Sequence, residues 1–300
     1  MTYLESFTLP IDREEELWEL RAGQNGGAHG YVDNEWPLGL FRSREFGRVD
    51  FRPVTIFYGG NGSGKSTLLN LIAEKLGLKR SAPWNRGEMI PLYVDACEAE
   101  LAWGDDGPLE AVPAGSALIT SDDIFDYMLA ARTNNEDITE NRAEAREDWG
   151  RLRYGETVRL QGLEDYELLR AQVLARSKSV SRRRFIERTA GSETKLRSNG
   201  ETALLYFEKL LADDRLYLLD EPENSMSPAF QLRLRELLET SVRYLGCQLV
   251  IATHSPFLLS MEGARIYDLD ASPVEIRSWW ELENVRTYYE FFEENRKLFR

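Results

Sequence analysis

The feature that most constrains this chain is a nine-residue loop, Gly59-Gly60-Asn61-Gly62-Ser63-Gly64-Lys65-Ser66-Thr67. It matches the phosphate-binding pattern G-x-x-x-x-G-K-[ST] at every position. The β-branched and aromatic run 54–58 precedes it, and Leu68, Ile72 and Leu76 follow at helical spacing. Strand, glycine loop and helix together let backbone N–H groups and a helix N-terminus converge on an anion. The alternative, a chance glycine-rich turn, does not account for these flanks, so the loop predicts a nucleotide site.

Side chains of the loop and just before it have distinct expected roles. Lys65 is expected to reach the β- and γ-phosphates, and the hydroxyl of Ser66 to bind Mg²⁺. Arg42 and Arg44 lie upstream and could approach the nucleotide. The alternative for both arginines is a solvated position on a strand face.

Composition narrows the class of protein. The chain has 300 residues, 42% of them hydrophobic, and a formal charge of −14, which argues against a surface that grips nucleic acid everywhere. We expect no membrane segment, because no apolar run approaches about 20 residues. The first residues lack a signal-peptide pattern, and Cys97 and Cys247 form no C-x-x-C pair. We therefore expect a cytoplasmic protein without a disulfide framework.

The order of elements predicts an α/β fold with a mainly parallel sheet flanked by helices. An N-terminal lobe, 1–120, carries the loop and an antiparallel β part. A charged helical insert, 121–197, follows, and a C-terminal lobe, 198–300, alternates strands and helices. The predicted strands include 38–42, 47–51, 90–94, 216–219, 249–252, 266–269 and 274–277.

Two of these strands end in residues that carry chemistry. Asp220 and Glu221 follow the apolar strand 216–219, at the sheet edge where ligands collect. Asp220 is placed to hold Mg²⁺, and Glu221 to act as general base on an attacking water. His254 ends the next strand and could donate a hydrogen bond to the γ-phosphate. The alternatives are a solvated acidic loop and a structural histidine.

The segments GGNGSGKST, RSNGE, LYLLDEPENSMSP and IATHSP, in that order, give the chain its family resemblance. The set resembles the ATPase head of ATP-binding-cassette (ABC) proteins. LLDEPEN with IATHSP is more similar to the SMC-like and "predicted AAA ATPase" branch than to transporter subunits. The chain looks most like small stand-alone bacterial ATPases with the signature SHGE. The resemblance implies a P-loop NTPase that uses ATP and Mg²⁺.

The resemblance also assigns roles by position. Gly59–Thr67 would be the Walker A loop, Asp220 the Walker B aspartate, Glu221 the catalytic glutamate and His254 the switch histidine. Residues 225–227 would be the D-loop. Ser198, Gly200 and Glu201 lie in the signature SNGE, which in that family contacts the γ-phosphate bound by a second subunit. By itself, SNGE could equally be a simple helix cap.

The chain departs from the family pattern at several positions. Gly60 stands where the group usually has Glu, Asn199 replaces its His, and Ser227 replaces an acidic D-loop residue common in transporters. No glutamine fills the Q-loop, for which Asp122 or Asp123 is the candidate. These departures bear on the rate of turnover more than on ATP binding.

Two functions follow from the resemblance. The first is an ATPase whose copies form an ATP-dependent homodimer or higher oligomer and drive or regulate an effector protein, by analogy in DNA repair or phage defence. The second is the nucleotide-binding subunit of an ABC transporter. The basic run from Arg176 to Arg188 is a candidate contact for nucleic acid, and the alternative is a solvated helix face that balances nearby acids.

Overall fold

A computed structural model describes residues 2–24, 35–84, 86–104, 107–156, 165–177, 180–182, 184–186 and 199–299. The chain forms two compact units. The first combines Met1–Phe125 with Asn199–Arg300, and the second is Asp126–Ser198. Both halves of the predicted site, the glycine loop and the Asp220–His254 region, belong to the first unit.

Strands and helices are numbered here in chain order. The strands are β1 (Leu4–Thr8), β2 (Arg48–Asp50), β3 (Val54–Tyr58), β4 (Glu98–Leu101), β5 (Trp103–Gly104), β6 (Gly107–Pro108), β7 (Ala117–Thr120), β8 (Leu216–Asp220), β9 (Gln248–Ala252), β10 (Arg265–Asp268) and β11 (Glu275–Arg277). The helices are α1 (Glu14–Gln24), α2 (Lys65–Lys75), α3 (Ile90–Ala96), α4 (Ser121–Tyr154), α5 (Asp165–Arg176), α6 (Asn199–Leu210), α7 (Pro228–Tyr244), α8 (Pro256–Leu259) and α9 (Glu283–Glu294).

The main sheet has six strands in the order β11-β10-β3-β9-β8-β7, and all neighbours are parallel except β11 and β10. Every residue of β3 and β9 is buried, as expected for strands covered on both faces. Helix α2 contributes Leu68, Leu71 and Ile72 to the same core. The predicted fold class is confirmed.

A second, antiparallel sheet has the order β2-β1-β4. Gln248, buried at the start of β9, joins it to the main sheet. Its Oε1 accepts from the backbone N–H of Leu4 at 2.9 Å, and its Nε2 donates to the Leu4 carbonyl at 2.9 Å. A fully buried amide with both ends bonded fixes the position of β1.

Two predicted strands are wrong. Residues 38–42 form a turn that leads into a short 3₁₀ helix, Arg42–Arg44, because Gly39 takes a φ of +76° and Ser43 N–H donates to the Gly39 carbonyl. Residues 90–94 lie in helix α3, where Pro91 occupies the first turn and Tyr93 is buried. Proline suits a helix start because it lacks the N–H that a first turn leaves unbonded.

The second unit contains most of α4 together with α5. It has its own small core of Ala145, Leu152, Ala175, Phe185 and Ile186. Arg176 donates from Nε to the Leu152 carbonyl at 3.2 Å and from Nη2 to the Gly155 carbonyl at 2.7 Å. Arg182 stacks over the ring of Trp149. Two arginines of the predicted basic run therefore have a structural role inside this unit. Lys178, Arg183 and Arg188 of the same run lie outside the described residues.

Within the described part of the chain, no helix combines the length and apolar character that crossing a membrane requires.

Candidate nucleotide site

The glycine loop connects the end of β3 to the start of α2. A Cβ on Gly59 would lie 2.6 Å from the Ser63 hydroxyl oxygen, and Gly64 has a φ of +96° with the Phe41 ring beside it. Both positions therefore require glycine. By helix geometry, the first N–H groups of α2 lack partners within the helix and face the loop. The result is an anion-binding concavity at a helix N-terminus.

Lys65 lies across this loop rather than in solvent. Its side chain is 5% exposed, and its Nζ donates to the carbonyls of Gly59 at 2.7 Å and Gly60 at 3.1 Å. The ammonium group is therefore held within the concavity. It is in place to meet phosphate oxygens that bind there.

Three neighbours fix the shape of the loop. Asp270 Oδ2 accepts from the Gly60 N–H at 2.7 Å, Arg44 Nη1 donates to the Ser63 carbonyl, and Asn70 Nδ2 donates to the Ser66 carbonyl at 2.7 Å. Arg44 thus contacts the loop, whereas Arg42 pairs with Glu15 at 3.0 Å on the surface. Asp270 is not among the predicted site residues, although its position just after β10, the strand beside β3, could have indicated it.

Ser66 and Asp220 are brought together from distant parts of the sequence. The Ser66 hydroxyl donates to Asp220 Oδ1 at 3.0 Å. Burial raises the pKa of Asp220 to about 6, the hydrogen bond from Ser66 opposes this, and the nearby Glu221 charge adds to it. Asp220 is thus mainly ionised at neutral pH. A hydroxyl and a carboxylate beside a phosphate cradle are the ligand set that Mg²⁺ takes in nucleotide sites, so the residues present fit the ion.

Glu221 and His254 face each other at the ends of adjacent strands. Glu221 has a left-handed φ of +47°, and its N–H donates to the Ala252 carbonyl at 2.9 Å. Its Oε2 accepts from Asn224 Nδ2 at 3.1 Å, and its Oε1 lies 3.7 Å from His254 Nδ1. The Glu221 side chain is 26% exposed and that of His254 54%. Both groups can reach a ligand at this edge.

The C-terminal helix reaches the same edge. Asn284, in the first turn of α9, donates from Nδ2 to the His254 carbonyl at 2.6 Å, and its N–H donates to the Tyr58 hydroxyl at 3.2 Å. The sequence offers no signal for this contact, since Asn284 is 30 residues beyond His254. It anchors the histidine loop to the strand that leads into the glycine loop.

The signature residues divide into described and undescribed ones. Ser198 lies outside the described residues. Gly200 is buried in the first turn of α6, where a Cβ would lie 2.7 Å from Cδ2 of Phe230 on α7. Glu201 follows in the same turn. Gly200 therefore has a packing role, and the contact of Ser198, Gly200 and Glu201 with a second nucleotide stays a prediction.

The two Q-loop candidates differ in what their carboxylates do. Asp123 is buried, with Oδ1 accepting from the Ala82 N–H at 3.1 Å and Oδ2 from the Thr120 N–H at 2.8 Å. It caps α4. Asp122 is exposed, two residues after Thr120, which pairs in register with Asp220. Asp122 is therefore the residue that remains a candidate for the Q-loop position.

Comparison with known proteins adds a family match. Residues 122–260 match the sequence model described as "AAA domain, putative AbiEii toxin, Type IV TA system". The match covers a little under half of the chain, including the signature, Asp220, Glu221 and His254, but not the glycine loop. The predicted resemblance to an ABC-type ATPase is supported by this match and by the yeast relative below.

An uncharacterized ABC transporter ATP-binding protein/permease of Saccharomyces cerevisiae is 26% identical over an alignment of 216 residues that covers 69% of this chain. The chain spans only 14% of the length of that relative.

Two solved structures resemble the fold more loosely. The SMC head domain from Thermotoga maritima is 15% identical, with 92% of this chain and 98% of that chain covered at a TM-score of 0.40. The Smc head domain from Pyrococcus furiosus is 14% identical, with 99% and 100% covered at a TM-score of 0.39.

Proposed function

We propose that this chain is a Mg²⁺-dependent ATPase whose copies close around ATP and thereby drive or regulate a partner protein. The observation that carries the proposal is the contact between Ser66 Oγ and Asp220 Oδ1, 3.0 Å apart, beside the buried ammonium group of Lys65. A phosphate cradle, a metal-ligand pair and a general base then lie along one edge of the sheet.

Each residue has a defined task in this proposal. The loop N–H groups and Lys65 bind the phosphates, while Ser66 and Asp220 hold Mg²⁺, which supplies positive charge to the phosphate oxygens. Glu221 accepts the proton of the attacking water on its carboxylate. His254 hydrogen-bonds the γ-phosphate. Its Nδ1 lies 3.7 Å from Glu221 Oε1, so the two side chains face the same ligand. No other chemistry is assigned to the chain.

The second copy enters through the signature. If Ser198 contacts a γ-phosphate held by another subunit, each ATP becomes part of an interface and stabilises the dimer by mass action. The partner that this dimer acts on is an effector protein. By analogy with the resembled ATPases, the setting we propose is phage defence or DNA repair. The description of the matched family names a toxin of a toxin–antitoxin system.

A transporter subunit is the second candidate. The yeast relative is described as an ATP-binding protein/permease, and this favours a nucleotide-binding role beside membrane helices. The chemistry at the site would be the same. Co-purification with a membrane protein would select this function, and co-purification with an effector protein would select the first.

Glu221→Gln tests the proposed function directly. The amide keeps the size of the side chain but cannot accept the proton of the attacking water, so ATP should bind and persist. We expect a dimer with ATP and Mg²⁺ that does not form with ADP and that dissociates when Ser198→Arg is added. Light scattering or sedimentation measures the mass, with the exposed Glu236→Gln on α7 as control. A Glu221→Gln protein that binds ATP and stays monomeric would contradict the proposal.

A further inference from the structure

Next to the site, five hydrogen bonds form a closed ring. Thr253 Oγ1 donates to Glu223 Oε1, and the Ser255 N–H donates to Thr253 Oγ1 at 2.9 Å. Ser255 Oγ donates to Gln231 Oε1 at 2.7 Å, and Gln231 Nε2 donates to the Met226 carbonyl at 3.0 Å. The Met226 N–H donates to the Glu223 carbonyl at 3.0 Å and closes the ring.

Four of the five residues in the ring are buried, and Gln231 is half-buried. Glu223, Thr253, Ser255 and Met226 are all buried. Burial strengthens such bonds and makes an unmade one costly. The orientation of the Gln231 amide is also fixed, because the Met226 carbonyl can only accept a hydrogen bond. The ring therefore holds its members in one arrangement.

That arrangement surrounds the reacting groups. Thr253 and Ser255 are the two chain neighbours of His254, so the ring fixes the backbone on both sides of the histidine. Glu223 lies two residues after Glu221, whose own N–H is bonded to the Ala252 carbonyl. The ring thus ties together the segments that place Glu221 and His254 opposite each other.

The ring also extends to the surface. Met226 lies between Ser225 and Ser227, both exposed, and Ser225 has a left-handed φ of +65°. The Ser227 side chain forms no capping bond to α7. A displacement of residues 225–227 would therefore pull on Gln231, and through Ser255 on the histidine loop.

We propose that Gln231 is a positioning residue that sets His254 against Glu221 and couples both to residues 225–227. It is the one side chain in the ring with a bond to each of the two loops, through Ser255 and through Met226. The inference rests on the proposed ATPase function, and it assigns to the first turns of α7 a part in turnover.

The test compares Gln231→Leu with the wild type and with Thr240→Ala, a control on the exposed side of the same helix. Leucine is similar in size but removes both bonds. We expect kcat to fall between about 10-fold and 100-fold, because small misplacements of catalytic groups cost this much. The affinity for ATP should change much less than kcat, because Lys65, Ser66 and Asp220 are untouched and only the γ-phosphate contact of His254 is shifted. Gln231→Glu keeps the acceptor for Ser255 but sets an oxygen against the Met226 carbonyl, so it breaks that bond alone and should show a loss of the same kind.

A second readout follows His254 itself. The chain has two histidines, His29 and His254, so His29→Gln assigns the remaining imidazole signal in an NMR spectrum to His254. We expect this signal to shift in Gln231→Leu and Gln231→Glu but not in Thr240→Ala. Wild-type kcat together with an unmoved His254 signal would overturn the inference.

The outcomes separate this inference from the proposed function. If Glu221→Gln stays monomeric with ATP while Gln231→Leu lowers kcat, the proposed ATP-dependent dimer is excluded. Gln231 then still acts as a positioning residue. If the wild-type protein does not hydrolyse ATP, the proposed function is excluded. The NMR signal of His254 would still show whether Gln231 positions the imidazole.

Discussion

At the scale of single residues, the site depends on charges held out of water. The Lys65 ammonium group is buried over the loop carbonyls, and burial raises the pKa of Asp220 to about 6. Groups held in this way lose little freedom when a phosphate arrives, so their contribution to binding is large. The loop therefore should not tolerate loss of its one cation.

Lys65→Ala should lower the affinity for ATP by about 100-fold or more, because it removes hydrogen bonds from a charged donor to the phosphates. Lys75→Ala is the matched control, since Lys75 ends the same helix and donates to the Asp95 carbonyl at 3.0 Å instead. Fluorescent ATP analogues measure the affinity, and circular dichroism checks the fold. Equal affinities in the two variants would exclude this loop as the binding site.

At the scale of elements, helix α1 supports the glycine loop from behind. Glu14 Oε2 accepts from the Gly39 N–H at 2.9 Å, and the turn at Gly39 brings Leu40 and Phe41 against Gly64. Glu14 is buried, and burial raises the pKa of its carboxyl above the ordinary 4.5. The charged form is therefore less stable in the folded protein than in the unfolded chain.

This pKa shift predicts the sign of a pH effect. With its pKa raised in the folded state, Glu14 lowers the free energy of unfolding progressively as pH rises from 4.5 through the raised pKa. Glu14→Gln keeps an acceptor for Gly39 but has no charge. The melting temperature of Glu14→Gln minus that of the wild type should increase as pH rises through this range and then level off. The exposed Glu15→Gln on the same helix should show no such rise, and a flat difference for Glu14→Gln would contradict the assignment.

At the scale of the whole molecule, the charge of −14 opposes any polyanion, so nucleic acid can bind only through a local basic patch. The structure reduces the predicted patch, because Arg176 bonds backbone carbonyls and Arg182 stacks on Trp149. Arg184 is exposed and keeps its role as a candidate contact. The predicted alternative, a solvated helix face that balances nearby acids, stays open for Arg184, whereas Arg176 has a structural role.

If the patch binds DNA or RNA through about four phosphates, affinity should fall about 100-fold when salt rises from about 50 mM to about 200 mM. Arg184→Glu should weaken binding at low salt, whereas Arg243→Glu, on the surface of α7, should not. Fluorescence anisotropy with a labelled oligonucleotide measures both. If no binding is detected at low salt, or if the affinity does not change with salt concentration, nucleic acid is excluded as a partner of this basic run.

Local patterns determined much of this protein. The glycine loop, the apolar strands that end at Asp220 and Ala252, and the helix that starts at Pro228 are all set by residues within a few positions of each other. Local sterics and hydrophobic periodicity encode such elements, so the sequence predicts them well. A mainly parallel sheet is predicted as well, and the carboxyl ends of its strands place the loop and Asp220 at one edge. The order of the strands comes from the tertiary structure.

Only the tertiary structure decided which distant residues meet. Residues 38–42 look like a strand, but the turn at Gly39 packs Phe41 under the loop, a contact that no local pattern records. Hydrogen bonds across 24 to 210 residues join Asp270 to Gly60, Asn284 to His254 and Gln231 to Ser255. Their side chains have no periodicity to reveal them, because their partners are chosen by burial and by the need to satisfy every buried polar group.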